Sequence, residues 1–150
     1  MEAVENSAKY NLLKSVDNEK ISNEVIFKRA ISLYYVSDSH NIGEIAEIFT
    51  SDNSIQAIGV VDDGGKAAGI VIRNELFSLI GQKFGRELYL NKNIREVLHS
   101  PSTVYYKRNT FSVIDELAGE LKSEYNRFFI LVDGENRYRG IISTSSLVLF

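Results

Sequence analysis

The phrase VDDGGKAAGIVI at Val61–Ile72 returns as VDGENRYRGIIS at Val132–Ser143, and this repetition limits the available folds more than any compositional total does. Val61 and Val132, Asp62 and Asp133, Gly69 and Gly140, Ile70 and Ile141, and Leu76 and Leu147 each stand 71 residues apart. In both copies an apolar run, a turn rich in Asp and Gly, and a second apolar run predict a β-hairpin leading into a helix. Asp-Gly turns between apolar strands occur in many unrelated sheets. The surrounding order is what makes the pair a repeat.

In the first copy, ISLYYV at Ile31–Val36 predicts a strand, and Asn41 with Glu44 three residues on predicts a capped helix burying Ile42, Ile45, Ala46 and Phe49. The hairpin follows, then a helix over about Asn74–Phe84. In the second copy the same succession runs through STVYYK, a helix in NTFSVIDELAGELKSEY capped by Thr110 or Ser112, the strands RFFILV and RGIIS, and the helix opening SSLVLF. The first helices align best at an offset of 72, pairing Ile42 with Ile114 and Ala46 with Ala118, as if one residue had been gained or lost. Neither copy is large enough to close a core alone, so two α/β halves must share one.

Around the repeats, apolar residues from Val4 to Ala30 recur at steps of mostly three to five and predict a helical arm in two pieces, broken at Asp17 and Asn18. The connector GRELYLNKNIREVLHSPS carries the sole proline, Pro101. The expected division is an arm at 1–30, a first repeat at 31–98 and a second at 101–150.

Several function classes are disfavoured. Cysteine is absent, which removes disulfides and thiolate metal sites and fits a reducing, cytoplasmic setting. No apolar run approaches the roughly 20 residues of a membrane-spanning helix, so no membrane association is expected. A net charge of −3 gives no general attraction for nucleic acid. Glu44, Glu47, Glu116 and Glu120 sit at helical spacing, but exposed helical acids are ordinarily solvated. The two histidines, His40 and His99, lack evident partners for a base or a metal, so no catalytic or metal residue is expected.

The tandem β-α-β-β-α units, with VDDGGKAAGIVIRNEL and VDGENRYRGIISTSSL at their hairpin-to-helix junctions, resemble a pair of cystathionine-β-synthase (CBS) domains over about Ile31–Phe150. The resemblance implies two repeats packed about a pseudo-twofold axis, no chemistry of their own, and clefts able to hold an adenosine nucleotide or a related ligand. It also implies a regulatory homodimer. The connector FGRELYLNKNIREVL is similar to those of CBS pairs attached to bacterial cyclic-di-GMP signalling proteins, which implies a C-terminal effector such as a diguanylate cyclase.

Family junctions read glycine, two apolar residues, threonine or serine, two variable residues, then aspartate. A hydroxyl there can bond phosphate and a carboxylate can accept from both ribose hydroxyls. The first junction runs Gly69, Ile70, Val71, Ile72, Arg73, Asn74, Glu75: the hydroxyl is lost to Ile72 and the carboxylate is one methylene longer. The second runs Gly140 to Ser146, keeping a hydroxyl at Ser143 but replacing the carboxylate by Ser146. Glu75 can equally favour a helix N-terminus, and Ser143 and Ser146 can equally cap one. Tyr105 and Tyr106 could stack on a purine while Arg108 or Arg127 meets phosphate; the same tyrosines could instead be core and the arginines a solvated face. Two functions stand: a ligand-sensing regulatory module, or an architectural dimerisation module that binds no metabolite.

Overall fold

A computed structural model describes residues 12–121 and 127–148. In chain order it holds β1 (Lys14–Ser15), a 3-10 turn (Ile26–Arg29), β2 (Tyr34–Ser37), α1 (Ile42–Ser51), β3 (Ala57–Val61), β4 (Ala67–Ile72), α2 (Arg73–Ile80), α3 (Gly85–Tyr89) and a second 3-10 turn (Ile94–Val97). The second repeat follows with β5 (Thr103–Tyr105), α4 (Thr110–Glu116), α5 (Ala118–Leu121), β6 (Phe128–Val132), β7 (Tyr138–Ser143) and α6 (Thr144–Val148). One sheet has the order β1-β2-β3-β4 and the other β5-β6-β7. In each, the first repeat strand lies parallel to the second and the hairpin closes antiparallel.

The hairpins keep the 71-residue offset exactly in their register. Ala57 pairs Ile72 as Phe128 pairs Ser143, and each ladder slips at the same place, between Val60 and Val61 and between Leu131 and Val132. Alternation along the strands then assigns the faces. Ile58, Val60 and Val71 join the cluster beneath α1 and α2, whereas Ala57, Val61, Ile70 and Ile72 join the cluster of the second repeat. The first sheet is therefore buried on both faces, against its own helices and against its duplicate.

Asn41 caps α1, with its side chain accepting from the Glu44 amide while Glu44 accepts from the Asn41 amide, which is the expected reciprocal box. The second copy differs from expectation. Asn109 caps α4, accepting from the amides of Phe111 and Ser112, so neither Thr110 nor Ser112 is the cap. Since Asn41 and Asn109 are 68 residues apart, the offset of 72 is four too large. Four residues are about one helical turn, so the wrong register still superposes the apolar faces. The second repeat thus carries three extra residues between helix start and hairpin, not one. Its helix also breaks at Leu117 into α4 and α5.

The arm departs from its sequence reading too. Residues 1–11 lie outside the described residues, and residues 12–30 form β1 and a 3-10 turn rather than an α-helix. Backbone pairing with distant strands outweighs the helical spacing. β1 adds antiparallel to β2, and Val16 N–H donates to Leu33 C=O at 2.9 Å. Further on, Ile26 N–H donates to Arg108 C=O at 2.8 Å, Phe27 N–H to Tyr106 C=O at 3.2 Å, and Ile31 N–H to Ile141 C=O at 2.8 Å. The connector does the equivalent on the first repeat, where Ile94 N–H donates to His40 C=O at 3.0 Å and Ile70 and His99 exchange bonds of 2.8 and 2.9 Å. Each repeat is thus clasped by the segment that precedes the other.

Candidate functional site: a cleft between the repeats

β4 ends at Ile72 and α2 begins at Arg73, which leaves Glu75 exposed in the first turn of that helix. The connector crosses in front of this junction because its backbone is pinned at His99 to Ile70, and because Ser102 C=O accepts from Ile130 N–H at 3.1 Å. The start of β6 forms the far wall. Together Ile72, Glu75, His99–Ser102 and Arg127–Phe129 enclose a cleft of about 320 Å³, within the range of small-molecule sites. It combines a carboxylate, a guanidinium and two serine hydroxyls with the apolar surface of Phe128, Phe129, Ile72 and Pro101. Neither Glu75 nor Arg127 forms an ion pair with another of the described residues. A larger hollow of about 690 Å³ lies along α1 beside Phe77 and Arg86, but it includes no junction residue and nothing from the second repeat.

The second junction is satisfied internally. Ser143 N–H donates to Ser146 Oγ at 3.0 Å, Ser146 N–H donates to Ser143 Oγ at 3.1 Å, and Ser146 Oγ donates to Ser143 C=O at 2.9 Å. Ser143 is buried and its hydroxyl also meets Ser145 at 3.2 Å. These contacts have the reciprocal form of a helix cap.

The remaining candidates lie apart from the cleft lining. Arg73 Nε donates to Ile55 C=O at 2.7 Å and its terminal nitrogen to Phe49 C=O at 2.6 Å, with the guanidinium over the Phe49 ring at 5.1 Å. It closes the end of α1. Tyr106 is buried edge-on to Phe27 at 5.8 Å and beneath the Arg139 guanidinium at 4.8 Å, while Tyr105 remains exposed beside it. Arg108 pairs with Glu116 and reaches Ser112 Oγ at 3.3 Å. Of the eight residues singled out from the sequence, Glu75 and Arg127 share the cleft and Ser143 and Ser146 share the second junction.

Sequence reading missed His99, Ser100, Ser102, Phe128 and Phe129. For His99 and Ser100 the available signal was the 68-residue offset, which aligns connector residues 93–100 with 25–32, the stretch that clasps the other repeat; Ser102, Phe128 and Phe129 carried no such signal.

Two clasped β-α-β-β-α units with a polar cleft at their boundary define a tandem-repeat module. Residues 25–82 match the CBS domain family model, and the second repeat has the same strand pairing and hairpin register as the first. No curated protein matches it in sequence. Among solved structures, a CBS domain-containing protein of unknown function from Bacillus anthracis is 12% identical with a TM-score of 0.63, covering 88% of this chain and 95% of that one. CBSX2 in complex with AMP is 20% identical with a TM-score of 0.62, covering 84% and 94%. CbpB in complex with c-di-AMP is 16% identical with a TM-score of 0.54, covering 99% and 91%. At these identities the likeness establishes the fold. Among the described residues, no helix is long and apolar enough to cross a membrane, and no group of three or more His, Asp or Glu residues gathers as a metal site.

Proposed function

We propose that the chain is a non-catalytic regulatory module that senses an adenosine nucleotide or related ligand in the cleft between its repeats. It then controls an attached or partner signalling domain, for which a diguanylate cyclase is the candidate suggested by the connector. The observation carrying this reading is that one cleft is lined both by Glu75 from the first repeat and by Arg127 from the second. Glu75 stands where the family's ribose-binding carboxylate stands, and Arg127 supplies a charge for phosphate in place of the hydroxyl lost at Ile72. AMP in CBSX2 and c-di-AMP in CbpB support an adenine ligand. A cleft of about 320 Å³ suits a mononucleotide better than a cyclic dinucleotide. A ligand touching both repeats favours the arrangement that brings them together, and that difference in affinity is what a regulatory output requires. The module acts as a homodimer in this reading.

Thermal denaturation with millimolar AMP, ADP, ATP, GMP and c-di-AMP tests it, since a ligand bound by the native state raises the midpoint by an amount that grows with the logarithm of its concentration relative to Kd. The expected result is a rise with AMP. The closed Ser143–Ser146 junction and the apolar Ile72 favour a second reading, an architectural dimerisation module. A concentration-dependent dimer with no midpoint shift from any nucleotide would establish that alternative.

A further inference from the structure

Resting on the nucleotide reading, we infer that Thr144 is a positioning residue for phosphate recognition, because it fixes the backbone of Arg127, which lines the cleft. Arg127 N–H donates to Thr144 Oγ1 at 2.9 Å, Thr144 Oγ1 donates to Arg127 C=O at 3.2 Å, and Thr144 N–H donates to the same carbonyl at 2.8 Å. A single buried threonine thereby satisfies both peptide groups of Arg127.

The β6–β7 ladder ends at the Phe128–Ser143 pair, so without this hydroxyl Arg127 would hang beyond the last rung on one bond. The first repeat has that simpler arrangement. Seventy-one residues earlier, Arg73 N–H donates to Gln56 C=O at 2.9 Å, and the arginine side chain offers no hydroxyl to return a bond to Gln56 N–H. The added clamp thus occurs in the copy whose flanking residue lines the cleft. A guanidinium on a long flexible stem loses orientation when its backbone is free, and a fixed backbone removes part of that cost before ligand arrives. Thr144 also opens α6, so engagement of Arg127 by phosphate bears directly on the first turn of that helix.

The test measures binding of AMP and of adenosine, which lacks phosphate, by calorimetry on the full chain. Thr144→Val keeps the shape and removes the hydroxyl. It is expected to weaken AMP by about threefold to tenfold, the range for one or two lost hydrogen bonds, and to leave adenosine unchanged. Thr144→Ser is expected to restore AMP binding. Arg127→Ala should bring AMP down to the affinity of adenosine, and adding Thr144→Val to it should cost nothing further. An unchanged AMP affinity in Thr144→Val, or equal weakening of AMP and adenosine, overturns the inference. If Thr144→Val does not fold, Arg127→Ala decides the matter, since an intact AMP preference in that variant also overturns it. If the parent chain binds adenosine and not AMP, the positioning role alone fails. If it binds neither, the nucleotide reading fails and the inference with it.

Discussion

The ring of Tyr138 fills the space that a side chain at Gly59 would need: a Cβ placed on Gly59 would lie 2.2 Å from Tyr138 Cε2. Gly59 is in the middle of β3 and Tyr138 opens β7, so the contact joins the two sheets across the repeat boundary. It is one-sided, because the residues at the 71-residue offset are Ile130 and Ala67. Burial pushes the Tyr138 phenol above its ordinary value, and its hydroxyl faces Ser32 C=O at 3.5 Å.

Gly59→Ala should therefore separate the halves. The expected cost is about 1–3 kcal/mol of stability, as for overpacking elsewhere in dense cores. Gly134→Ala, where nothing lies within 4 Å of the added carbon, is the matched control and should be near neutral. Urea denaturation of both variants measures the difference.

Loss of either helix cap should be felt independently. Asn41→Ala and Asn109→Ala each remove a side-chain acceptor from a helix N-terminus, and each should cost about 1 kcal/mol. The double variant should show nearly additive losses in chemical denaturation, as separate sites do.

Arg73 should report stability and not ligand. Arg73→Met strands carbonyls at the end of α1 and on Ile55, with an expected loss of about 2 kcal/mol, while AMP affinity remains that of the parent chain. Calorimetry and urea denaturation on the same preparation separate the two quantities.

Acid should weaken the fold through its turns. Hydrogen bonds from the Ser54 hydroxyl and amide hold Asp52 below its ordinary value of 3.8. At Asp133 burial acts upward, but the Arg137 and Glu135 amides and the Arg137 guanidinium outweigh it and the net shift is also downward. A carboxylate lowered in the native state stabilises above its unfolded value and loses that contribution as pH falls through the native one. The thermal midpoint should accordingly hold at mildly acidic pH and drop below pH 3.8, with a smaller drop in Asp133→Asn.

The hairpins were legible in the sequence because glycine, aspartate and alternating apolar residues each perform a local task that leaves a fixed spacing. The helix offset was not, since a slip of one turn leaves the buried face of Ile42, Ile45 and Phe49 unchanged. The arm was misread for a related reason. Val16, Ile21, Val25 and Ala30 pack against the cluster of the second repeat, so their spacing follows a tertiary surface and not a helix. Glu75 was legible from its place in the junction, whereas His99, Ser102 and Phe129 enter the cleft only because the connector and the second sheet fold across it.

Diffraction from crystals grown with AMP tests the central claim most directly. The account predicts one nucleotide per chain in the cleft, with its ribose at Glu75 and its phosphate at Arg127. Nucleotide density at Ser143 and Ser146 instead, or an empty cleft at saturating AMP, would contradict it.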